Sequence, residues 1–179
     1  MAEDRSFIEL LRDQIRHGLT AAQQYLAAAV YFDTQRLPEL AAQTYARSAQ
    51  SRGHAMRMVQ YLLDRDIPVT IGGLDEVRSE FDSPRAAIAF LLDSERAATA
   101  QISGLAAAAR TAQDYLGEQF VQWFLKEQVA DVAEMGTLLT VLDRQQNLFD
   151  VEEFIRRELT GKVPVDNTAP KMAGAGQVQ

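Results

Sequence analysis

Apolar residues recur at spacings of three and four along most of the chain, the signature of helices that bury one face. The run Ile8, Leu11, Ile15, Leu19, Ala22, Leu26, Ala29 predicts a first helix over about 6–34. Pro38 breaks that pattern and opens the next, because proline is tolerated in a first helical turn. A second helix is expected over 38–64, with an inner stripe of Leu40, Thr44, Ser48, Ser51, His54, Met58 and Tyr61. Residues 65–82 lose the helical period: they contain Gly72-Gly73 and SEFDS, and only 67–71 has strand character. A connection this long needs a reason in a compact domain, and crossing the length of a four-helix bundle supplies one. Ser83-Pro84, a good N-cap followed by proline, opens a third helix expected over 83–113. A fourth is expected over 114–144, with the stripe Val121, Phe124, Gln128, Asp131, Met135, Leu138, Leu142. A short amphipathic helix at 148–159 follows. The expected organisation is an all-α four-helix bundle plus a short fifth helix over 1–160, and a flexible tail over 161–179. At 1.5 Å per residue the long helices span about 40–45 Å each.

Three polar side chains and one histidine interrupt these core stripes: Glu95, Gln128, Asp131 and His54. Gly18 and Ser51 lie on or beside the same stripes. A buried carboxylate is costly unless it is paired or holds a metal. Polar groups at similar depth on three helices suggest one shared internal site, as in bundles that hold metals. The same pattern is also met by a hydrogen-bonded core histidine, with Glu95 and Asp131 at the stripe edges paired to arginines.

Composition narrows the chemistry. The 179 residues suit one domain, and there is no cysteine, so disulfides, thiolate metal sites and cysteine nucleophiles are excluded. His17 and His54 are the only histidines, too few for a histidine cage. The net charge of −7 disfavours nucleic acid and anionic lipid as partners and suits cations. No apolar run is long enough to span a membrane, and the acidic start MAEDRSF lacks a signal-peptide pattern, so a cytoplasmic location is expected. No glycine-rich nucleotide motif occurs.

The segments TAAQQYLAAAVYFD (20–33), HAMRMVQYLLDRDIPV (54–69), LDSER (92–96), LGEQFVQWFLKEQ (116–128) and NLFDVEEFIRREL (147–159) resemble the ferritins, in particular the non-haem type of actinobacteria. The resemblance covers about 7–158. It implies a ferritin-like up-down-down-up bundle with a long crossover, a 24-subunit shell storing ferric mineral, and a di-iron ferroxidase centre in each bundle. It also implies that the middle of the crossover pairs with the same segment of a twofold-related subunit. Carried over residue by residue, the family's pattern matches Tyr25, His54, Glu95, Trp123 and Gln128. The first-helix glutamate position holds Gly18. The second-helix E-x-x-H reads Ser51-Arg52-Gly53-His54, so the bridging carboxylate is missing. Of the acids of a third iron site, Glu127 and Asp131 remain, beside Gln50 and Ala130.

The metal-ligating positions are therefore His54, Glu95, Gln128, Glu127 and Asp131, with Gly18 and Ser51 degenerate. Two iron ions need several oxygen donors and a bridging carboxylate, which a glycine and a serine do not supply. The expected role is an iron-storage cage subunit that binds iron weakly or as mineral only, alone or co-assembled with an active ferritin. The alternatives are a residual single-metal ferroxidase using His54 and Glu95, or a structural cage that handles no iron. Haem is not expected, because the haem-binding methionine position holds Arg52. DNA binding is not expected either: the lysines Lys126, Lys162 and Lys171 are few and scattered. Without metal, Glu95 is expected to contact His54 directly or through water, with Gln128 donating a hydrogen bond.

Overall fold

A computed structural model describes residues 5–144, 147–161 and 166–175. Four long helices, α1 (Phe7–Thr34), α2 (Pro38–Asp64), α3 (Pro84–Thr111) and α4 (Tyr115–Arg144), precede a short α5 (Leu148–Glu158). Local chemistry explains the starts. Ser6 and Glu9 form a reciprocal capping box on α1, Ser83 caps α3 ahead of Pro84, and the Asn147 side chain caps α5. Short turns join α1 to α2 and α3 to α4, so each pair is antiparallel. The long 65–83 segment lets α3 run in the same direction as α2. The fold is the up-down-down-up four-helix bundle with a fifth helix, as expected. No strand occurs among the described residues, so 67–71 is plain connection within this chain.

The N-terminus of α2 lacks a cap of its own, because Leu37 offers no side-chain acceptor. Glu152 of α5 supplies one from a distance. Its two carboxylate oxygens accept from the backbone N–H of Glu39 (2.8 Å) and Leu40 (2.9 Å). A carboxylate on free N–H groups at the positive end of a helix is favourable, and here it also docks α5. Glu152→Ala is expected to cost about 0.5–2 kcal/mol, the range for lost caps. Thermal melts of the two proteins measure this, and equal midpoints would show that Val151 and Ile155 alone seat α5.

The crossover is pinned to α1 by a side chain that imitates a strand partner. Buried Gln24 donates to the Arg78 carbonyl and accepts from the Arg78 N–H, both at 2.8 Å. Arg12 donates to the Pro68 carbonyl, Thr20 accepts from the Asp75 N–H, and Arg16 pairs with Asp75. The bundle core falls into two apolar halves. One gathers Phe32, Leu40, Ile88, Leu138, Val151 and Ile155 at the α5 end; the other gathers Phe7, Leu11, Leu62, Leu105 and Phe124. Buried polar side chains, Thr44, Arg47, Glu95, Gln128 and Asp131 among them, occupy the middle of the helices.

Within the span expected as a tail, 161–179, the structure describes residues 161 and 166–175. This stretch lies against α2 and α4. The Trp123 indole donates to Asp166 at 2.9 Å, Arg57 donates to the Pro170 carbonyl, and Ala173 N–H donates to the Met56 carbonyl at 3.1 Å. Gly53 leaves room there: a Cβ at that position would stand 3.5 Å from the Met172 sulfur. Hydrogen bonds from Thr168 and Trp123 hold the Asp166 carboxyl down at about 2. Residues 162–165 and 176–179 lie outside the described residues.

Candidate functional site

The polar middle of the bundle opens into one cavity of about 320 Å³ between α1, α2 and α3, with α4 at its back. Gly18, Ser51, His54, Glu95, Gln128 and Asp131 all line it. Six of the seven singled-out positions thus converge. Glu127 does not line the cavity; it stands half-buried one turn before Asp131, its pKa raised by burial and then by Asp131.

Glu95 sits at the cavity's inner end, 7% exposed. Tyr25 donates its hydroxyl to one carboxylate oxygen, and Gln128 donates its amide N–H to the other at 3.2 Å. Thr99 orients Gln128 by donating to its amide oxygen at 2.8 Å. Burial raises the Glu95 pKa against the opposing pull of these hydrogen bonds. Burial also raises Tyr25 well above its ordinary value, so the phenol keeps its proton and stays a donor. Gln128 donates to Glu95 as expected, and the carboxylate's other direct side-chain donor is Tyr25 rather than His54. The His54 ring packs edge-on against Trp123 and Phe124, with centroids 5.4 and 5.7 Å away. Burial lowers its pKa from 6.5 to about 4, so it is neutral near pH 7 and is no counter-charge.

That shift has a measurable sign. Because the folded pKa lies below the unfolded one, the unfolded chain takes up the proton first on acidification. The His54 contribution to stability is complete above pH 6.5 and is lost progressively as pH falls to about 4. Glu95, raised from 4.5, acts in the opposite sense, losing its contribution as pH rises through its folded pKa. His54→Phe isolates the histidine. Acidification through this window is expected to cost the parent protein roughly 3 kcal/mol more than the variant. Denaturation curves at several pH values test it, and parallel pH profiles would refute it.

The main finding not anticipated from the stripes is Arg47. It is 5% exposed, its guanidinium pairs with Asp131, and it reaches Glu134 at 3.0 Å and Gln50 at 3.0 Å. Gln50 in turn donates to Asp131 at 3.1 Å. Burial opposes the arginine's charge, but Asp131 and Glu134 outweigh it and hold its pKa above the ordinary value. A fixed cation therefore lies among the side chains matched to a third iron site, and Asp131 is engaged by it. The signal was present: Leu40, Thr44, Arg47, Ser51 is also a three-and-four stripe, facing acids three apart on α4.

Gly18 also has a packing role. A Cβ there would lie 3.1 Å from the Ala55 Cβ, tighter than ordinary contact, so the missing side chain lets α1 and α2 approach closely. The donor set does not fit a metal pair. Ser51 offers only a neutral hydroxyl, Glu95 is held by two donors, and Asp131 by Arg47. No group of three acidic or histidine side chains among the described residues is arranged to hold a metal ion.

Residues 8–145 match the family model of a ferritin-like domain, and the chain belongs to the ferritin family. It is 53% identical to ferritin BfrB of Mycolicibacterium smegmatis over 97% of this chain and 96% of that protein. It is 28% identical to a bacterial non-heme ferritin of Staphylococcus aureus, covering 78% of this chain and 84% of that one. Among solved structures, an open-pore ferritin of the archaeon Archaeoglobus fulgidus superposes with a TM-score of 0.80 at 27% identity, covering 83% of this chain and 93% of that one. No described helix is long and apolar enough to cross a membrane.

Proposed function

We propose that this chain is a ferritin cage subunit that stores or buffers iron without a working di-iron ferroxidase centre of its own. The observation that carries the reading is the donor-poor cavity: Gly18 and Ser51 stand where the resemblance puts two carboxylates. The occupied state of Asp131, bound by Arg47, extends the same deficit to the third iron site. His54, Glu95 and Gln128 remain at the cavity and hold an iron ion weakly at most; stored iron is mineral. Relatives named ferritin at 53% and 28% identity support a homo-oligomeric shell, for which the family resemblance implies 24 subunits. Supply of oxidised iron then falls to an active ferritin in the same shell or to uncatalysed oxidation. Arg52, exposed at the methionine position, supports a shell without haem. The net charge of −7 supports a cytoplasmic cage that engages neither nucleic acid nor membrane.

Stopped-flow oxidation of stoichiometric Fe(II) by the purified shell tests the reading. The expected rate is that of Fe(II) in buffer alone, while iron added slowly in air still accumulates in the shell. Oxidation at the speed of an intact non-haem ferritin would overturn it. A purified mass of a monomer or dimer would overturn the cage.

A further inference from the structure

The cavity holds more than missing ligands. Two buried carboxylates line it with different partners: Asp131 is paired with Arg47, whereas Glu95 receives only the neutral donors Tyr25 and Gln128. Neither Ser51 nor His54 has a hydrogen-bond partner among the described residues, yet both line the cavity. Their polar atoms are therefore available to an occupant. The remaining walls are mostly apolar, with Ala55, Met58, Leu91, Ala98, Ile102 and Phe124, while Gln14, His17, Thr20, Ser94 and Gln101 add polar groups. The mouth is exposed, and Glu76 and Asp75 stand at it, Asp75 already paired with Arg16.

We propose that this cavity is a binding site for a small organic cation, a primary ammonium carrying a compact hydrocarbon or aromatic body. The inference rests on the reading that no metal pair occupies the site. A bare metal ion would satisfy the charge and leave the apolar walls wet. A neutral hydrocarbon would fill the walls and leave Glu95, Ser51 and His54 facing nothing. An alkyl- or arylammonium answers both: its N–H groups donate to the free lone pairs of Glu95, to Ser51 Oγ and to a ring nitrogen of His54, and its body displaces water from the walls. The volume suits it. About 320 Å³ lies at the lower end of ligand pockets and well above the ~150 Å³ cavities that hold benzene. The acidic mouth draws cations inward. The phenol of Tyr25 and the amide of Gln128 hold the Glu95 carboxylate in place, so the receptor is preformed.

The test uses the assembled protein as purified and three probes followed by fluorine NMR: 4-fluorobenzylamine, 4-fluorobenzyl alcohol and 4-fluorobenzoate. The amine is expected to bind at least about tenfold more tightly than the alcohol, and the benzoate not at all. Glu95→Gln, nearly isosteric, is expected to bring the amine down to the level of the alcohol. Ala98→Phe, which fills the apolar wall, is expected to abolish binding of both while the helical circular dichroism is retained. Equal binding of amine and alcohol, or no amine binding at millimolar concentration, overturns the inference and leaves the proposed function standing. Displacement of bound amine by equimolar Zn(II) marks the cavity as a metal centre and overturns the proposed function, and the inference with it. Amine binding that equimolar Zn(II) leaves intact supports both.

Discussion

Arg47→Met is expected to destabilise the bundle by about 3–5 kcal/mol, the cost of removing one partner from a buried ion pair. The side chain is 5% exposed and its guanidinium contacts Asp131, Glu134 and Gln50 together. Without it, Asp131 is left as a buried carboxylate with only the Gln50 amide as donor. For a chain of this size the melting midpoint should fall by roughly 10 °C. Arg47→Lys should recover only part of the loss, because a single ammonium cannot reach two carboxylates and an amide in the geometry of a planar fork. Replacing the set, Arg47→Met with Asp131→Leu and Glu134→Gln, should restore most of the stability, since hydrophobic replacement of a buried ion pair is often neutral or better. The Arg47→Met protein should also gain more stability from Zn(II) than the parent. A melting midpoint for Arg47→Met within a degree or two of the parent would show that the network contributes little.

The same arginine marks where reading by pattern stops. Helix positions were legible because they follow from period and punctuation: Pro38 and Ser83-Pro84 sit where α2 and α3 begin, and the inward residues recur at three and four. Depth was legible too, since a polar residue on an apolar stripe is conspicuous, and Gly18, Ser51, His54, Glu95, Gln128 and Asp131 do meet. Direction was not. Arg47 and Ser48 are equally compatible with the spacing between Thr44 and Ser51, and burial of an arginine follows only from acids on another helix, Asp131 and Glu134. Likewise, periodicity places Glu95 and His54 at one level, but cannot say that the Tyr25 phenol rather than the imidazole turns toward the carboxylate. The tail composition gave no helix and no strand, and so no sign of its seat. That seat depends on isolated contacts, Asp166 on Trp123 and Met172 over Gly53, which have no period.

Restoring the two missing carboxylates, Gly18→Glu together with Ser51→Glu, is expected to raise the rate of Fe(II) oxidation at least tenfold, about 1.4 kcal/mol of barrier. Ser51 already lines the cavity beside His54, so a glutamate there reaches the interior and gives the bridging donor that the hydroxyl lacks. Position 18 is harder, because the new Cβ meets Ala55 at 3.1 Å and α1 or α2 must yield by a few tenths of an ångström. Ala55→Gly, added as a third change, removes that contact and should improve the recovery. Each single glutamate should do little, since a metal pair needs both donors. The gain also has a cost without metal: three carboxylates around His54 repel one another and raise each other's pKa, so the metal-free double variant should melt below the parent. Fe(II) or Zn(II), binding only the folded state, should return it to or above the parent midpoint. Stopped-flow oxidation and melts with and without metal read both effects. If the double variant, shown folded by its circular dichroism, binds Zn(II) tightly yet oxidises Fe(II) no faster than the parent, the absent carboxylates are not what keeps this bundle from acting on iron.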